Sequence, residues 1–468
     1  MNVLIIGAGK LGYRLAKFMI QENLNVTMID RNQDVLNKIN EHIDVLTIHA
    51  NGIDIQVLKE IAIKDYDLMV AATNSDETNT VICSLSKQLG CKQTIARIRN
   101  PEYLKQLDFI KSKMGIDHII NPDLETALAI EKYLLRSYGF YSDDFASGRV
   151  QMIDFNISKT KNLINKRIMD VEGFDELLIT AISRNGKLII PNGSTILEDN
   201  DIIHVIGERN DIQKLSEDFN FGKSLNQIKK VMILGGGNIG YYLSQNLSKY
   251  NINTTLIEKD PEKAKMLSSK LNKTLVIHGD GTDINLLEEE KLDSMDCFIG
   301  ATGFDEQNLL MALMAKQSNV AQCIAKVSKP NYETIMDRLG IDVALNPIYI
   351  TASNILKLVR GGKVVSVSLL LGGDGEVTEI KIDKNSSFTN VPISEMNLPE
   401  GVIIGAIVRN GEVIIPNGSS TLKHHDRIVV FSLSKDLSTL KMFFKPEKGG
   451  KLSELWRRKK SVRQYSNN

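Results

Sequence analysis

Short apolar runs alternate along the chain with stretches in which apolar residues return every three or four positions. Asn2 to Ile6 is such a run, rich in Val, Leu and Ile, as expected of a strand buried on both faces of a parallel sheet. Leu11, Leu15, Phe18 and Met19 follow at helical spacing, Asn23 to Asn25 provides a turn, and Val26 to Ile29 reads as the next strand. Continued in this way, the pattern predicts strands near 2–6, 25–29, 44–48, 67–71, 94–98 and 118–120, with helices between most of them. That alternation describes a doubly wound parallel sheet. A helix from about Pro122 to Leu135 then leads out of it. From about 148 to 218 the pattern changes to short β-branched strands separated by turn signals such as Asn185-Gly186, a strong hairpin signal that predicts a small α+β unit.

The whole pattern then begins again. Met1 to Asp30 returns as Lys230 to Glu258, Thr73 to Asn79 (TNSDETN) as Thr302 to Asn308 (TGFDEQN), and Ile95-Ala96-Arg97 as Ile324-Ala325-Lys326. Gly115-Ile116-Asp117 with Asn121-Pro122 recurs as Gly340-Ile341-Asp342 with Asn346-Pro347, and RNGKLIIPNGS from Arg184 as RNGEVIIPNGS from Arg409. The offset changes only from 229 at Thr73 and Thr302 to 225 at Arg184 and Arg409. The chain is therefore two tandem copies of a two-part module. The expected fold class is α/β: two tandem Rossmann-like doubly wound parallel sheets, each followed by a small α+β domain. The expected units are 1–136, 148–222, 228–359 and 363–446, with a basic tail over 447–468. Tyr138 to Gly148, Arg360 to Lys363 and Asn220 to Lys230 are linker candidates.

At the first strand-to-helix turn of each copy lies G-x-G-x-x-G, as Gly7, Gly9 and Gly12 and again as Gly235, Gly237 and Gly240. The first glycine permits the tight turn, the second lets backbone approach a pyrophosphate, and the third lets helix and strand pack closely. The helix that follows presents its N-terminal amides to phosphates. Asp30, eighteen residues past Gly12, and Glu258 at the same spacing end the second strands, where a carboxylate accepts hydrogen bonds from ribose hydroxyls. Such an acid repels a 2′-phosphate, so NAD or an adenine nucleotide is expected rather than NADP.

Composition narrows the remaining classes. A 42% hydrophobic content is ample for real cores, and 57 basic against 57 acidic residues remove any overall bias toward nucleic acid. Cys83, Cys91, Cys297 and Cys323 show no metal-ligand spacing and are expected as buried thiols in a reducing compartment. The first strand begins within a residue or two of Met1, so no signal peptide is expected, and no apolar run approaches the length of a membrane span.

The glycine turns with their acids, the T-x-x-D-E-x-N segments and the repeated I-P-N-G hairpins together resemble the RCK (KTN) domain followed by its C-terminal companion. Two such modules in one chain resemble the regulatory subunits of Trk potassium-uptake systems, over nearly the whole chain from Met1 to about Phe444. The resemblance implies a cytoplasmic regulatory subunit, peripheral at the inner face of the membrane. It would assemble into a homo-oligomeric ring and gate a membrane potassium-translocating subunit of TrkH type in response to NAD(H) or ATP/ADP. It implies a first site made of Gly7, Ala8, Gly9, Lys10 and Leu11 with Gly12, Asp30, Thr73, Asn74 and Arg97. The second is made of Gly235, Gly236, Gly237, Asn238 and Ile239 with Gly240, Glu258, Asp280, Thr302 and Lys326. Asn51 stands where the second copy has Asp280, and Arg97 where it has Lys326, so the two sites are expected to differ in ligand preference.

Other readings of these residues stay open at this stage. Arg97 either contacts phosphate or ribose or neutralises a strand-end carboxylate such as Asp30. Asp76 with Glu77, and Asp305 with Glu306, read as helix-start acids rather than as a cation site or an acid-base pair. His49 and His278 end the third strands as packing or ring-edge residues, so neither a catalytic nor a metal-ligating residue is expected. Trp456 followed by Arg457, Arg458, Lys459 and Lys460 suits anionic headgroups or an acidic partner, although solvated disorder is the commoner fate of basic tails. The competing function class is a nicotinamide-dependent oxidoreductase. It requires an acid-base group at the nicotinamide, and the second parts of the modules offer only His204 and the turn-like His424-His425.

Overall fold

The computed structural model describes residues 1–135, 142–159, 163–174, 176–185, 187–218, 228–329, 332, 339–360, 364–370, 374–382, 386 and 388–436. Gly186, residues 138–141, 220–227 and 361–363 of the linker candidates, and the tail with Trp456 lie outside the described residues. The rest of the candidate linker Tyr138 to Gly148 is not a linker, since it carries the strand Ser142–Phe145 of an antiparallel sheet.

The first unit is a six-stranded parallel sheet of β1 (Asn2–Ile6), β2 (Asn25–Asp30), β3 (Leu46–His49), β4 (Leu68–Ala71), β5 (Thr94–Arg97) and β6 (His118–Ile120). Its order is β3-β2-β1-β4-β5-β6. The chain leaves β1 in one direction and returns at β4 in the other, so a crevice opens between the carboxyl ends of β1 and β4. Central strands buried on both faces account for the uninterrupted apolar runs: Val3, Leu4, Ile5 and Ile6 are all buried. An antiparallel sheet follows, built from β7 (Ser142–Phe145), β8 (Val150–Asn156), β9 (Leu177–Arg184), β10 (Lys187–Ile189) and β11 (Ile202–Glu208) in the order β10-β9-β11-β8-β7.

The second copy repeats both sheets. β12 (Lys230–Leu234), β13 (Asn253–Glu258), β14 (Thr274–His278), β15 (Cys297–Gly300), β16 (Gln322–Lys326) and β17 (Val343–Leu345) take the order β14-β13-β12-β15-β16-β17. β18 (Val364–Leu370), β19 (Gly375–Lys381), β20 (Val402–Arg409), β21 (Glu412–Ile414) and β22 (Arg427–Leu433) take the order β18-β19-β22-β20-β21. The hairpin expected at Asn410-Gly411 is present: both residues have positive φ, as a two-residue turn requires, and Arg409 pairs with Glu412. β9 and β10 also pair antiparallel, with Arg184 opposite Lys187 and Asn185 at positive φ.

What periodicity does not show is where the exit helices go. The helix Pro122–Leu134 leaves the first sheet and buries Ala127, Ile130, Tyr133 and Leu134 among Val231, Ile233, Ile239, Tyr242 and Leu243 of the second. The helix Pro347–Arg360 returns the exchange, packing Tyr349, Ala352, Ile355 and Leu356 on Val3, Ile5, Leu11 and Leu15. Arg360, expected to open a linker, is the last residue of that helix. Its buried guanidinium pairs with Glu22 at the end of the first glycine-turn helix and with Glu376 on β19. Three units therefore meet at one buried cation. The antiparallel sheets also meet face to face, with Phe145, Val150, Met152 and Ile206 against Val377, Ala406, Val408 and Phe431.

Each large side chain carried across by an exit helix contributes roughly 1.5–3 kcal/mol by burial. Ile130→Ala, at a fully buried position in this interface, is expected to destabilise the protein by about 2–5 kcal/mol. Denaturant unfolding checks this, and a loss under about 0.5 kcal/mol, the range of ordinary surface substitutions, would mean that the exit helix is not bearing on the second lobe.

Candidate functional site: paired glycine-turn crevices

β1 ends at Gly7, whose φ of +107° is the left-handed conformation that glycine tolerates, and its amide donates to the Ile29 carbonyl at 2.9 Å. Gly12 lies directly beneath: a Cβ there would sit 2.0 Å from the Gly7 carbonyl oxygen. The second turn repeats this, with Gly235 at φ +109° and a Cβ on Gly240 placed 2.2 Å from the Gly235 oxygen. These four glycines are required by the fold itself. Gly9 and Gly237 are different. Each has ordinary negative φ at a helix N-cap, and a Cβ on either would meet nothing within 4 Å. Neither packing nor backbone conformation demands glycine there, and the space above both is open. Neither helix has a side-chain cap, so the first amides of Lys10–Gln21 and Asn238–Leu247 have no side-chain acceptor.

The strand-end acids brace these turns. Asp30 Oδ2 accepts the Ala8 amide at 2.7 Å and Oδ1 the Asn32 amide at 2.9 Å. Glu258 accepts Gly236 and Asp260 in the same way, both at 3.0 Å, and also pairs with Lys263 at 3.1 Å. Asp280, exposed beside them, is paired with Lys259 at 2.6 Å and accepts the Thr282 hydroxyl and amide, which holds its carboxyl down at about 2. Asn51 offers an amide at the corresponding place in the first lobe.

Across each crevice stands a second matched cluster. Thr73 donates its amide and hydroxyl to Asn79 Oδ1 at 2.9 and 2.7 Å, and Asn79 Nδ2 donates to the Arg97 carbonyl at 2.8 Å. Thr302, Asn308 and Lys326 repeat the arrangement at 2.8, 2.8 and 2.9 Å. Arg97 Nη1 then donates to the Thr73 carbonyl at 3.0 Å and Lys326 Nζ to the Thr302 carbonyl at 2.6 Å. Among the described residues neither cation forms an ion pair, so Arg97 does not neutralise Asp30. Partial burial pushes the pKa of both cations down, because removing a positive charge from water disfavours it.

The structure thus brings Gly7 to Gly12, Asp30, Thr73 and Arg97 around the first crevice, and Gly235 to Gly240, Glu258, Thr302 and Lys326 around the second. Leu11 and Ile239 are buried and serve packing, while Lys10 is exposed. Asp76 and Glu77 open a helix as expected. Asp76 Oδ2 additionally accepts the Arg99 and Asn100 amides at 2.9 and 2.8 Å, and Glu77 accepts the Tyr103 hydroxyl at 2.7 Å.

Two features escape the sequence reading. The helix exchange sets the second glycine turn against the first lobe: Asn238 donates to Asp123 at 3.0 Å, and the Tyr242 hydroxyl donates to the Arg99 carbonyl at 2.9 Å. Tyr242 is fully buried there, its phenol pushed up to about 12 chiefly by that burial. In the antiparallel sheet, His204 is not isolated: Nδ1 lies 2.6 Å from Asp154 Oδ1 and Nε2 2.8 Å from the Ser183 hydroxyl. Strand register aligns these three on one face, a juxtaposition invisible in spacings of 29 and 21 residues. Ser183 and His204 are 6% and 4% exposed, so the arrangement is a buried brace.

Family models of the TrkA-N domain match residues 3–122 and 231–347, and those of the TrkA-C domain match 152–220 and 377–445. A Trk system potassium uptake protein TrkA homologue of Methanosarcina mazei is 33% identical over 454 residues, spanning 95% of this chain and all of the relative. The Haemophilus influenzae Trk system potassium uptake protein TrkA is 32% identical, spanning 95% and 99%. In fold, the chain is similar to the GsuK RCK domain, with a TM-score of 0.58, 17% identity and 94% of each chain covered. It is also similar to the GsuK channel bound to NAD, with a TM-score of 0.56, 18% identity, and 94% and 78% covered.

Gly12→Ala and Gly240→Ala are each expected to destabilise the fold by about 1–3 kcal/mol, because the added methyl must displace backbone rather than a flexible side chain. Thermal melts check this; melting temperatures equal to the parent's would mean that the turns are looser than the geometry shows.

Proposed function

From the premise that the chain belongs to the TrkA family of Trk potassium-uptake proteins, we propose that it is a cytoplasmic regulatory subunit with two nucleotide sites, one per crevice. Nucleotide binding controls a membrane potassium-translocating subunit of TrkH type. The reading includes a homo-oligomeric ring and peripheral attachment at the inner membrane face. Among the described residues no helix is long and apolar enough to cross a membrane.

The observation that carries the nucleotide reading is the pair Gly9 and Gly237. A Cβ at these two positions would meet nothing inside the chain, and its absence leaves room for a group that approaches the helix N-terminus closely. Arg97 and Lys326, half-buried and in no ion pair among the described residues, supply the complementary charge. In this reading Asp30 and Glu258, at the ends of the second strands, accept the ribose hydroxyls, which suits NAD(H), ATP and ADP alike. The NAD-bound GsuK channel, similar in fold, makes NAD a natural first probe. Each crevice also adjoins the lobe interface, so a ligand that prefers one lobe arrangement shifts the population toward it. The relatives are named for potassium uptake, and no observation favours the oxidoreductase reading.

Calorimetric titration with NADH, NAD, NADPH, ATP and ADP tests the premise. Saturable binding is expected for NAD(H) or an adenine nucleotide, with NADPH weaker, and Asp30→Ala and Glu258→Ala should each remove a different site. Gly9→Ala is expected to lose no more than about 1 kcal/mol of stability, since alanine caps a helix less well than glycine, yet to lose binding at the first site by about tenfold or more, the penalty of a displaced phosphate contact. Undiminished affinity in Gly9→Ala would sink the proposed pose, and potassium flux with the membrane partner would then be the measurement that decides the wider role.

A further inference from the structure

The two crevices are offered different groups by the opposite lobe. We propose that Arg99, carried by the first lobe, is a specificity-determining residue of the second nucleotide site, where its guanidinium contacts the phosphate chain of a nucleotide held on Gly236 to Asn238. This inference rests on the nucleotide reading above and adds to it a residue outside the second module.

A cleft of about 530 Å³ separates the lobes at this point, lined on one side by Gly236, Gly237 and Asn238 and on the other by Arg99 and Asn100. The Arg99 backbone is fixed from both sides. Its amide is held by Asp76 at 2.9 Å, while its carbonyl accepts the Tyr242 hydroxyl at 2.9 Å and Asn238 Nδ2 at 3.4 Å. The side chain is far less committed: Nη2 donates to the Asn74 carbonyl at 3.2 Å, and Nε is buried with no hydrogen-bond partner.

The other charges in the cleft are already engaged. Asp76 holds two backbone amides, Glu77 accepts Tyr103, and Glu102 pairs with Lys270 at 3.2 Å across the lobes. Lys263 pairs with Glu258. Among the described residues, Arg99 is the cation lining this cleft that has no carboxylate partner. A planar fork can take two phosphate oxygens at once, which an ammonium cannot do.

The second lobe has no such residue. Ser328 occupies the corresponding position, its amide held by Asp305 at 2.8 Å as that of Arg99 is held by Asp76. The asymmetry is complementary to the one inside the crevices. The first site has its own forked cation, Arg97, while the second has the point charge of Lys326 and gains its fork from across the interface. A nucleotide at the second site therefore ties the lobes together through Arg99.

The test is calorimetric titration of the full chain with ATP, ADP and AMP, comparing the parent with Arg99→Ala and Arg99→Lys. The site removed by Glu258→Ala identifies the second site, and that removed by Asp30→Ala the first. Arg99→Ala is expected to weaken ATP and ADP at the second site by about tenfold to a hundredfold, the range for a lost hydrogen bond to a charged group. AMP should suffer less, the first site should be unchanged, and Arg99→Lys should recover part of the loss. Thermal melts matching the parent's will show that the variants fold. Second-site affinity within twofold of the parent, or a loss confined to the first site, overturns the role of Arg99 and leaves the nucleotide reading standing. Failure of the parent to bind any nucleotide overturns both.

Discussion

Each glycine-turn helix is covered by an apolar face that its own lobe does not supply. The helix Lys10–Gln21 is covered by Tyr349, Ala352 and Ile355 from the second copy, and Asn238–Leu247 by Ala127, Ile130 and Tyr133 from the first. Neither lobe can keep that face dry alone, so the two parallel sheets form one body. The ring of Tyr349 packs edge-on against Phe18 at 6.1 Å, and Tyr242 is buried where three chain segments converge. Because the covered helices are the ones that present amides to the crevices, the contact that unites the lobes also sets the geometry of both sites.

Polar contacts then give that body a particular arrangement. Apolar packing alone tolerates sliding, whereas a buried charge demands its partner. Arg360 gathers Glu22 from the first lobe and Glu376 from the last antiparallel sheet, and all three side chains are no more than 5% exposed. Glu379, equally buried, accepts the Ala146 amide at 3.0 Å and so joins the two antiparallel sheets. Breaking such a pair leaves a charge stranded in low dielectric, at a cost of about 3–5 kcal/mol. Glu22, at the end of the first glycine-turn helix, is thereby tied to the last antiparallel sheet through few but expensive contacts.

The duplication has not kept the copies alike. Asp154, Ser183 and His204 form a hydrogen-bonded brace in the first antiparallel sheet, where the second has Glu379, Val408 and Val429. Asn51 and Asp280, Lys10 and Asn238, and Arg99 and Ser328 differ at or beside the crevices in the same manner. Within one chain both versions are always present in fixed proportion, so one site can specialise without loss of the other.

How much of this was legible beforehand follows from the range of each interaction. Periodicity and turn chemistry act over a few residues, so the strand runs, the glycine turns with Asp30 and Glu258, the Asn-Gly hairpin and the tandem repeat could all be read directly. The parallel sheets then followed from the alternation of elements. Thr73 and Arg97 were placed in the crevice by resemblance rather than by spacing, and the structure shows why they belong there, since Asn79 ties one to the other. Local pattern could not disclose which surface the apolar face of Pro122–Leu134 would meet, because its own sheet and the other copy's offer equally apolar partners. It also could not bring Arg99 to the second glycine turn or Asp154 to His204, since those meetings depend on how helices cross and strands register. Sequence determined the units and their chemistry; only tertiary packing, which joins residues from 50 to 143 positions apart in these cases, decided which surfaces meet at each crevice.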